Sequence, residues 1–225
     1  MTADFFWAPR PRPTRGPKPT LTLDQIADAA IAIADAEGLA AVSMQRVAAD
    51  LGYTKMSLYR YLPGKTELVA AMFERALGEP PEIARQPWRE ALTEWATVLL
   101  AGYAGHRWAL EAGTGRRPIG PHEIAWLECA LSVLPPGLAG AESLDAVATI
   151  AGHVRMIAGQ SGGAESDLVA AIGIALRDHA DRYPAVFAAV SDEGERGGGD
   201  NAFAFGLARI LDGLECLLRE RASVI

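Results

Sequence analysis

The chain has 225 residues and a mass of 23.9 kDa; half of it is hydrophobic, 22% is charged, and the formal net charge is −7. That length holds one large domain or two small ones with a real core, and the composition excludes a disordered chain. No apolar run reaches the roughly 20 residues that a membrane-crossing helix needs, and two cysteines, Cys129 and Cys216, make neither a disulfide framework nor a four-ligand zinc site.

The first residues, MTADFFWAPRPRP, lack the pattern of a secretory signal, so a cytoplasmic protein without a metal or other cofactor is expected. Residues 8–20 contain five prolines and four basic residues with no acid. They predict an extended arm, either a bare leader or a strand of positive charge lying along DNA through Arg15 and Lys18. Charge is distributed unevenly. Residues 1–65 carry eight Lys and Arg against six Asp and Glu, whereas residues 66–225 carry 13 against 22. An acidic protein binds a phosphate backbone only where it concentrates cations, and this one does so in its N-terminal part.

Order is expected from Thr22, which has capping-box spacing to Gln25 ahead of Ile26, Ala27, Ala30, Ile33 and Ala34 at helical intervals. Gly38 supplies the stop. Ser43 caps a short helix with Met44, Val47, Ala48 and Leu51 on its apolar side, and Gly52 ends it. Thr54 is placed to cap another helix through Tyr61. Pro63 and Gly64 separate that from a longer helix, Lys65 to Leu77, and Gly78 with Pro80 and Pro81 closes the first module. Helical periodicity then runs through Trp88–Tyr103, His122–Leu134, Ser143–Gln160, Glu165–Tyr183 and Asn201–Arg221, with no period-two alternation. The fold class is therefore all-α, with about nine or ten helices.

Residues 43–62, SMQRVAADLGYTKMSLYRYL, have the spacing of a helix-turn-helix. The second helix would present Thr54, Lys55, Ser57, Tyr59 and Tyr61, hydroxyl and cationic groups suited to phosphates and base edges in a major groove, with Met56 among them as a further DNA-contact candidate. Lys65 begins the next helix, where free N–H groups and the dipole favour an anion, and Arg46 lies on the preceding helix. Two short helices around a glycine also occur in plain bundles, so spacing alone leaves both readings open.

The stretch VAADLGYTKMSLYRYLPGKTELVAAMFERAL closely resembles the DNA-binding domain of the TetR family of transcriptional regulators, over roughly residues 20–77. The resemblance implies that Thr54, Lys55 and Ser57 face the groove while Tyr59, Tyr61 and Lys65 hold phosphates. Met56 stands where many members carry a small residue or proline, which implies altered base reading, and Gly64 replaces the usual Ser or Asn cap. More loosely, GRRPIGPHEIAWLECAL and FAFGLARILDGLECLL resemble the tetracycline-repressor-like regulatory domain. That implies an arm over 1–19, a DNA-binding domain over 20–66 with three helices, and a helical domain over 67–225 for ligand binding and dimerisation.

The last helix has apolar residues on two sides, with Phe203, Leu207, Ile210, Leu214 and Leu217 on one. A surface helix in a monomer needs a single stripe. Gly206 and Gly213 lie seven apart, as do Gly152 and Gly159, so these helices are expected to form a homodimer interface, although one helix buried all round fits the same pattern. For a small-molecule cavity, Trp88, Leu92, Trp95 and Leu99 share a face, and His153, Met156 and Gln160 form a second stripe. Tyr103, His106, Trp108, His122 and Trp126 lie between them in sequence. Aromatic walls with a few polar groups suit a flat, largely apolar ligand; core packing is the alternative for each residue.

Gly159-Gln160-Ser161-Gly162-Gly163 matches the serine-hydrolase elbow, but that elbow follows a strand, and a helical pattern precedes Ser161. The expected function is a repressor that binds a palindromic operator as a homodimer and is released by a small molecule. A regulator that activates, or one without ligand control, is the alternative; a hydrolase using Ser161 is a remote one.

Overall fold

A computed structural model of the chain describes residues 4–7, 21–160, 164–177, 179–195 and 201–223. Every regular element among the described residues is a helix. After a helical turn at Asp4–Trp7, the order is α1 (Leu23–Glu37), a 3-10 turn (Leu39–Ala41), α2 (Met44–Asp50), α3 (Lys55–Leu58) and α4 (Lys65–Leu77). There follow α5 (Trp88–Gly105), α6 (Trp108–Thr114), α7 (Pro121–Val133), α8 (Gly140–Gln160), α9 (Ala164–Leu176), a 3-10 turn (Ala180–Arg182), α10 (Pro184–Glu195) and α11 (Ala202–Ala222). The chain forms two compact units, one through Ala148 and one from Thr149, with α8 running across the division.

In the first unit, local chemistry sets the helix ends. The Gln25 amide donates to Thr22 Oγ1 at 3.1 Å while the Thr22 amide donates to Gln25 Oε1 at 2.9 Å, the reciprocal capping box. Ser43 Oγ accepts from the Arg46 amide at 3.1 Å and starts α2. Gly52 turns the chain between α2 and α3 at φ +73°, a conformation that a Cβ disfavours. α1 packs on α4 and α2 on α3, around fully buried Ile26, Val42, Val47, Leu58, Leu62 and Leu68. Each such side chain contributes about 1.5–3 kcal/mol of hydrophobic stabilisation.

Three elements depart from the periodicity reading. α3 ends at Leu58 rather than Tyr61, because the chain tightens there: the Tyr61 amide reaches back three residues, to the Leu58 carbonyl at 2.9 Å. Thr54 is the N-cap residue but makes no capping bond with its side chain. The expected Glu165–Tyr183 helix stops at Leu176, and Pro184 opens a separate helix, where its missing N–H costs nothing. α6 is a further helix of seven residues; its N-cap residue, Arg107, makes no side-chain capping bond, so it lacks the start signal that Ser43 gives the equally short α2. In the second unit α9 packs on α10.

Candidate DNA-binding face and ligand cavity

Short α3 projects from the first unit with Thr54, Lys55 and Met56 exposed and Ser57 half-buried. Leu58 is fully buried and anchors the helix to α2. Met56 is 72% exposed, an apolar side chain on a polar face, where it can meet a thymine methyl. The Thr54 and Ser57 hydroxyls lie 3.0 Å apart, and the Lys55 ammonium stands 5.5 Å from the centre of the Tyr59 ring. Such a cation–π contact is worth about 0.5–1 kcal/mol at an exposed site and orients the cation without neutralising it.

Three further DNA candidates have protein partners. Tyr61 donates its hydroxyl to the Leu21 carbonyl at 2.9 Å, and exposed Lys65 reaches the Leu39 carbonyl at 3.4 Å. Arg46 is paired with Glu37 at 2.8 Å, so it meets a phosphate only by exchanging that partner. Arg15 and Lys18 lie outside the described residues. Asp28 on α1 holds the Arg75 guanidinium of α4 at 2.8 Å, and its hydrogen bond and charge push the arginine further into its charged form. Both side chains are half exposed, so the pair adds little stability.

Two junctions, one buried at Glu74 and one partly exposed at Asp35, tie these helices to α5, α6 and α7. Glu74 of α4 is 5% exposed, and its carboxylate accepts the backbone amides of His122 at 2.8 Å and Glu123 at 3.0 Å. It therefore caps α7, whose own N-cap residue, Gly120, has no side chain to do so. The His122 ring is engaged there too, with Nδ1 2.9 Å from the Glu74 carbonyl oxygen. Nearby, the Arg117 guanidinium lies 3.8 Å from the centre of the Phe73 ring and donates to Glu123 at 2.7 Å. At the second junction Asp35, in the last turn of α1, accepts the Trp108 indole N–H at 2.7 Å and lies 2.9 Å from His106 Nδ1.

Between these junctions lies a cavity of about 260 Å3. Of the sequence-expected residues, Leu99, Tyr103, His106 and Trp126 line it. Trp95, Trp108 and His122 do not: the Trp95 indole donates to the Trp126 carbonyl at 3.0 Å, and the other two are held in the junctions above. Sequence reasoning missed the contribution of α4, Phe73, Ala76 and Leu77, along with Val98, Gly102 and Ala109. The three from α4 read as ordinary core periodicity and carry no separate signal. The walls are largely apolar, with Tyr103, His106 and Glu79 as polar exceptions.

In the second unit His153 stacks on Phe203, ring centres 6.0 Å apart, and its Nε2 lies 3.0 Å from the Phe203 carbonyl oxygen. A Cβ at Gly206 would run into that imidazole, with Nε2 only 2.7 Å away, so Gly206 serves packing inside the chain. Leu207 is buried within the chain as well, whereas Gly213 and Phe205 are exposed and Phe203, Ile210, Leu214 and Leu217 are half-buried. Gly152 and Gly159 have open space where a Cβ would stand, and Met156 and Gln160 are exposed. Ser161 lies outside the described residues. Among those described, no group of three or more His, Cys, Asp or Glu could hold a metal ion, and no helix is long and apolar enough to cross a membrane.

Residues 26–72 match the family model for bacterial regulatory proteins of the tetR family, and residues 80–218 match the tetracyclin repressor-like C-terminal domain. The HTH-type transcriptional repressor DrrR1 of Streptomyces coeruleorubidus is 39% identical over 98% of this chain and 87% of its own length. The crystal structure of the Streptomyces coelicolor TetR family protein ActR in complex with (S)-DNPA superposes with a TM-score of 0.74 at 27% identity, covering 88% of this chain and 98% of that one. The same protein in complex with actinorhodin gives 0.72 at 26% identity, covering 87% and 97%.

Proposed function

The chain belongs to the TetR family of transcriptional regulators, and we propose that it is a cytoplasmic repressor that binds a palindromic operator as a homodimer and leaves it when a small ligand fills the cavity. It is a DNA-binding regulator and not an enzyme. One observation carries the finer reading: α4 follows α3 in the chain, starts at exposed Lys65, and contributes Phe73, Ala76 and Leu77 to the cavity wall. A single helix thus links a phosphate-contact candidate to a ligand space. The repressor named DrrR1 supports the sign of regulation, and ActR in complex with actinorhodin and with (S)-DNPA supports a ligand.

We keep the division into an arm over 1–19, DNA binding over 20–66 and ligand binding with dimerisation over 67–225. Exposed Gly213, with the half-buried Ile210, Leu214 and Leu217, supplies the dimer face on α11. The aromatic, largely apolar cavity selects a flat ligand of similar character. Ligand displaces DNA only through unequal affinity for two states, a coupling of about 1–3 kcal/mol.

The test is selection of bound sequences from random duplex DNA by the purified protein. A palindrome is expected, with half-sites about 34–36 Å apart or a multiple of that. Binding without sequence enrichment, fading uniformly as salt rises, would reduce α3 to a source of backbone attraction.

A further inference from the structure

We propose that His106 is the side chain through which the cavity acts on the DNA-binding helices, and that it selects ligands carrying a hydroxyl or N–H donor. The inference rests on the ligand reading above. His106 caps the C-terminal end of α5, and its carbonyl accepts from the Ala109 amide at 2.9 Å, so it is the joint between α5 and α6. His106 lines the cavity, and its Nδ1 holds the Asp35 carboxylate, at 2.9 and 3.1 Å from the two oxygens.

Two consequences follow from elementary chemistry. An ionised carboxylate only accepts hydrogen bonds, so the neutral imidazole carries its proton on Nδ1 and leaves Nε2 as an acceptor. No described residue partners that nitrogen, and the cavity otherwise offers mainly apolar surface. A flat ligand with a donor completes the ring's hydrogen bonding and, by polarising the imidazole, strengthens its Nδ1 hold on Asp35.

The second consequence concerns α1. Asp35 and Glu37 sit in its last turn, which holds no basic residue, and the helix dipole disfavours carboxylates at that end. Both acids are compensated from outside the helix: Asp35 by His106 and Trp108, Glu37 by Arg46 of α2. Leu39, just beyond, accepts from Lys65. A firmer His106 contact therefore stiffens the last turn of α1, just ahead of Leu39, which accepts from the Lys65 ammonium.

The probe is 1-naphthol, with 1-methoxynaphthalene as the same body without a donor, titrated calorimetrically into the full chain. Naphthol should bind about fivefold tighter than the ether, the worth of one modest hydrogen bond, and the preference should vanish in His106→Phe. Saturating naphthol should also slow amide hydrogen exchange across residues 33–38 in the wild type and leave it unchanged in His106→Phe. Should that variant not fold, Asp35→Asn, which keeps an acceptor for Trp108, should bind naphthol but lose the exchange response. Equal affinities for the two probes, or an exchange response that survives either substitution, overturns the proposal while the cavity stands as a binding site. If neither probe binds, the ligand reading itself fails and takes this inference with it.

Discussion

A serine at Gly120 should destabilise the wild-type chain yet stabilise one lacking the Glu74 side chain. Gly120 is the N-cap residue of α7, with φ −104° and ψ −179°, an extended conformation in which serine is a good cap. In the wild type its Cβ would fall on the Glu74 carboxyl, with Oε1 2.6 Å away. That carboxyl is buried and already occupied by two α7 amides, so moving it forfeits the cap. Glu74→Ala alone removes a cap worth about 1–2 kcal/mol and a favourable charge–dipole contact of up to about 2 kcal/mol. A loss near 3 kcal/mol is expected, or a Tm lower by about 6–12 °C for a chain of this size.

In that background the space is free. Gly120→Ser then supplies a local cap and restricts the unfolded chain, together worth about 0.5–1 kcal/mol in the stabilising direction. In the wild-type background the same substitution should cost about 1–3 kcal/mol, because the displaced carboxylate leaves α7 amides unsatisfied. The four proteins form a double-mutant cycle whose coupling energy exceeds about 1.5 kcal/mol, well beyond the additivity expected of independent sites. Thermal and urea unfolding followed by far-ultraviolet circular dichroism reads it directly. If Gly120→Ser lowers Tm by the same amount in both backgrounds, Glu74 is not the cap of α7.

Two further outcomes are expected. Lys65→Ala should weaken binding to selected and random duplexes alike and make the salt dependence shallower by about 0.9 in log–log slope, the signature of one lost phosphate contact in a fluorescence-anisotropy titration; an unchanged slope removes Lys65 from the interface. Burial pushes the Cys129 thiol up from its ordinary range, so its thiolate forms only at higher pH, and native Cys129 should alkylate more slowly at pH 8 than the same residue in denaturant, the gap closing as pH rises. Equal rates at pH 8 would place that thiol in water.

What could be read from the sequence was what the chain does within a few residues. Thr22 with Gln25, Ser43 with the Arg46 amide, and Gly38 and Gly52 at positive φ are local devices, and each is found where its spacing places it. Thr54, Lys55 and Tyr59 are exposed as their spacing places them, although the helix stops at buried Leu58 and leaves Ser57 and Tyr61 half-buried. α6 escaped because Arg107 at its start is no capping residue, whereas Ser43 marks the equally short α2.

The cavity and its neighbours were harder for a deeper reason. His122 and Trp108 have the chemistry of ligand contacts, and nothing local distinguishes that role from the one they hold. Their partners, Glu74 and Asp35, stand 48 and 73 residues earlier in the chain. Glu74 lies on a face that periodicity assigns to the core, where an acid reads as a blemish rather than a cap. One clue was available: α7 opens on Gly120-Pro121 with no capping side chain of its own. A buried helix start cannot leave its amides unpaired, so an uncapped start implies an acceptor delivered from elsewhere, and an acid in an apolar stripe is the natural candidate. Pairing orphan helix starts with misplaced acids would have moved His122 from the ligand set to the junction. It would also have marked Asp35, an acid in the last turn of α1 without a local cation, as a residue that waits for a partner.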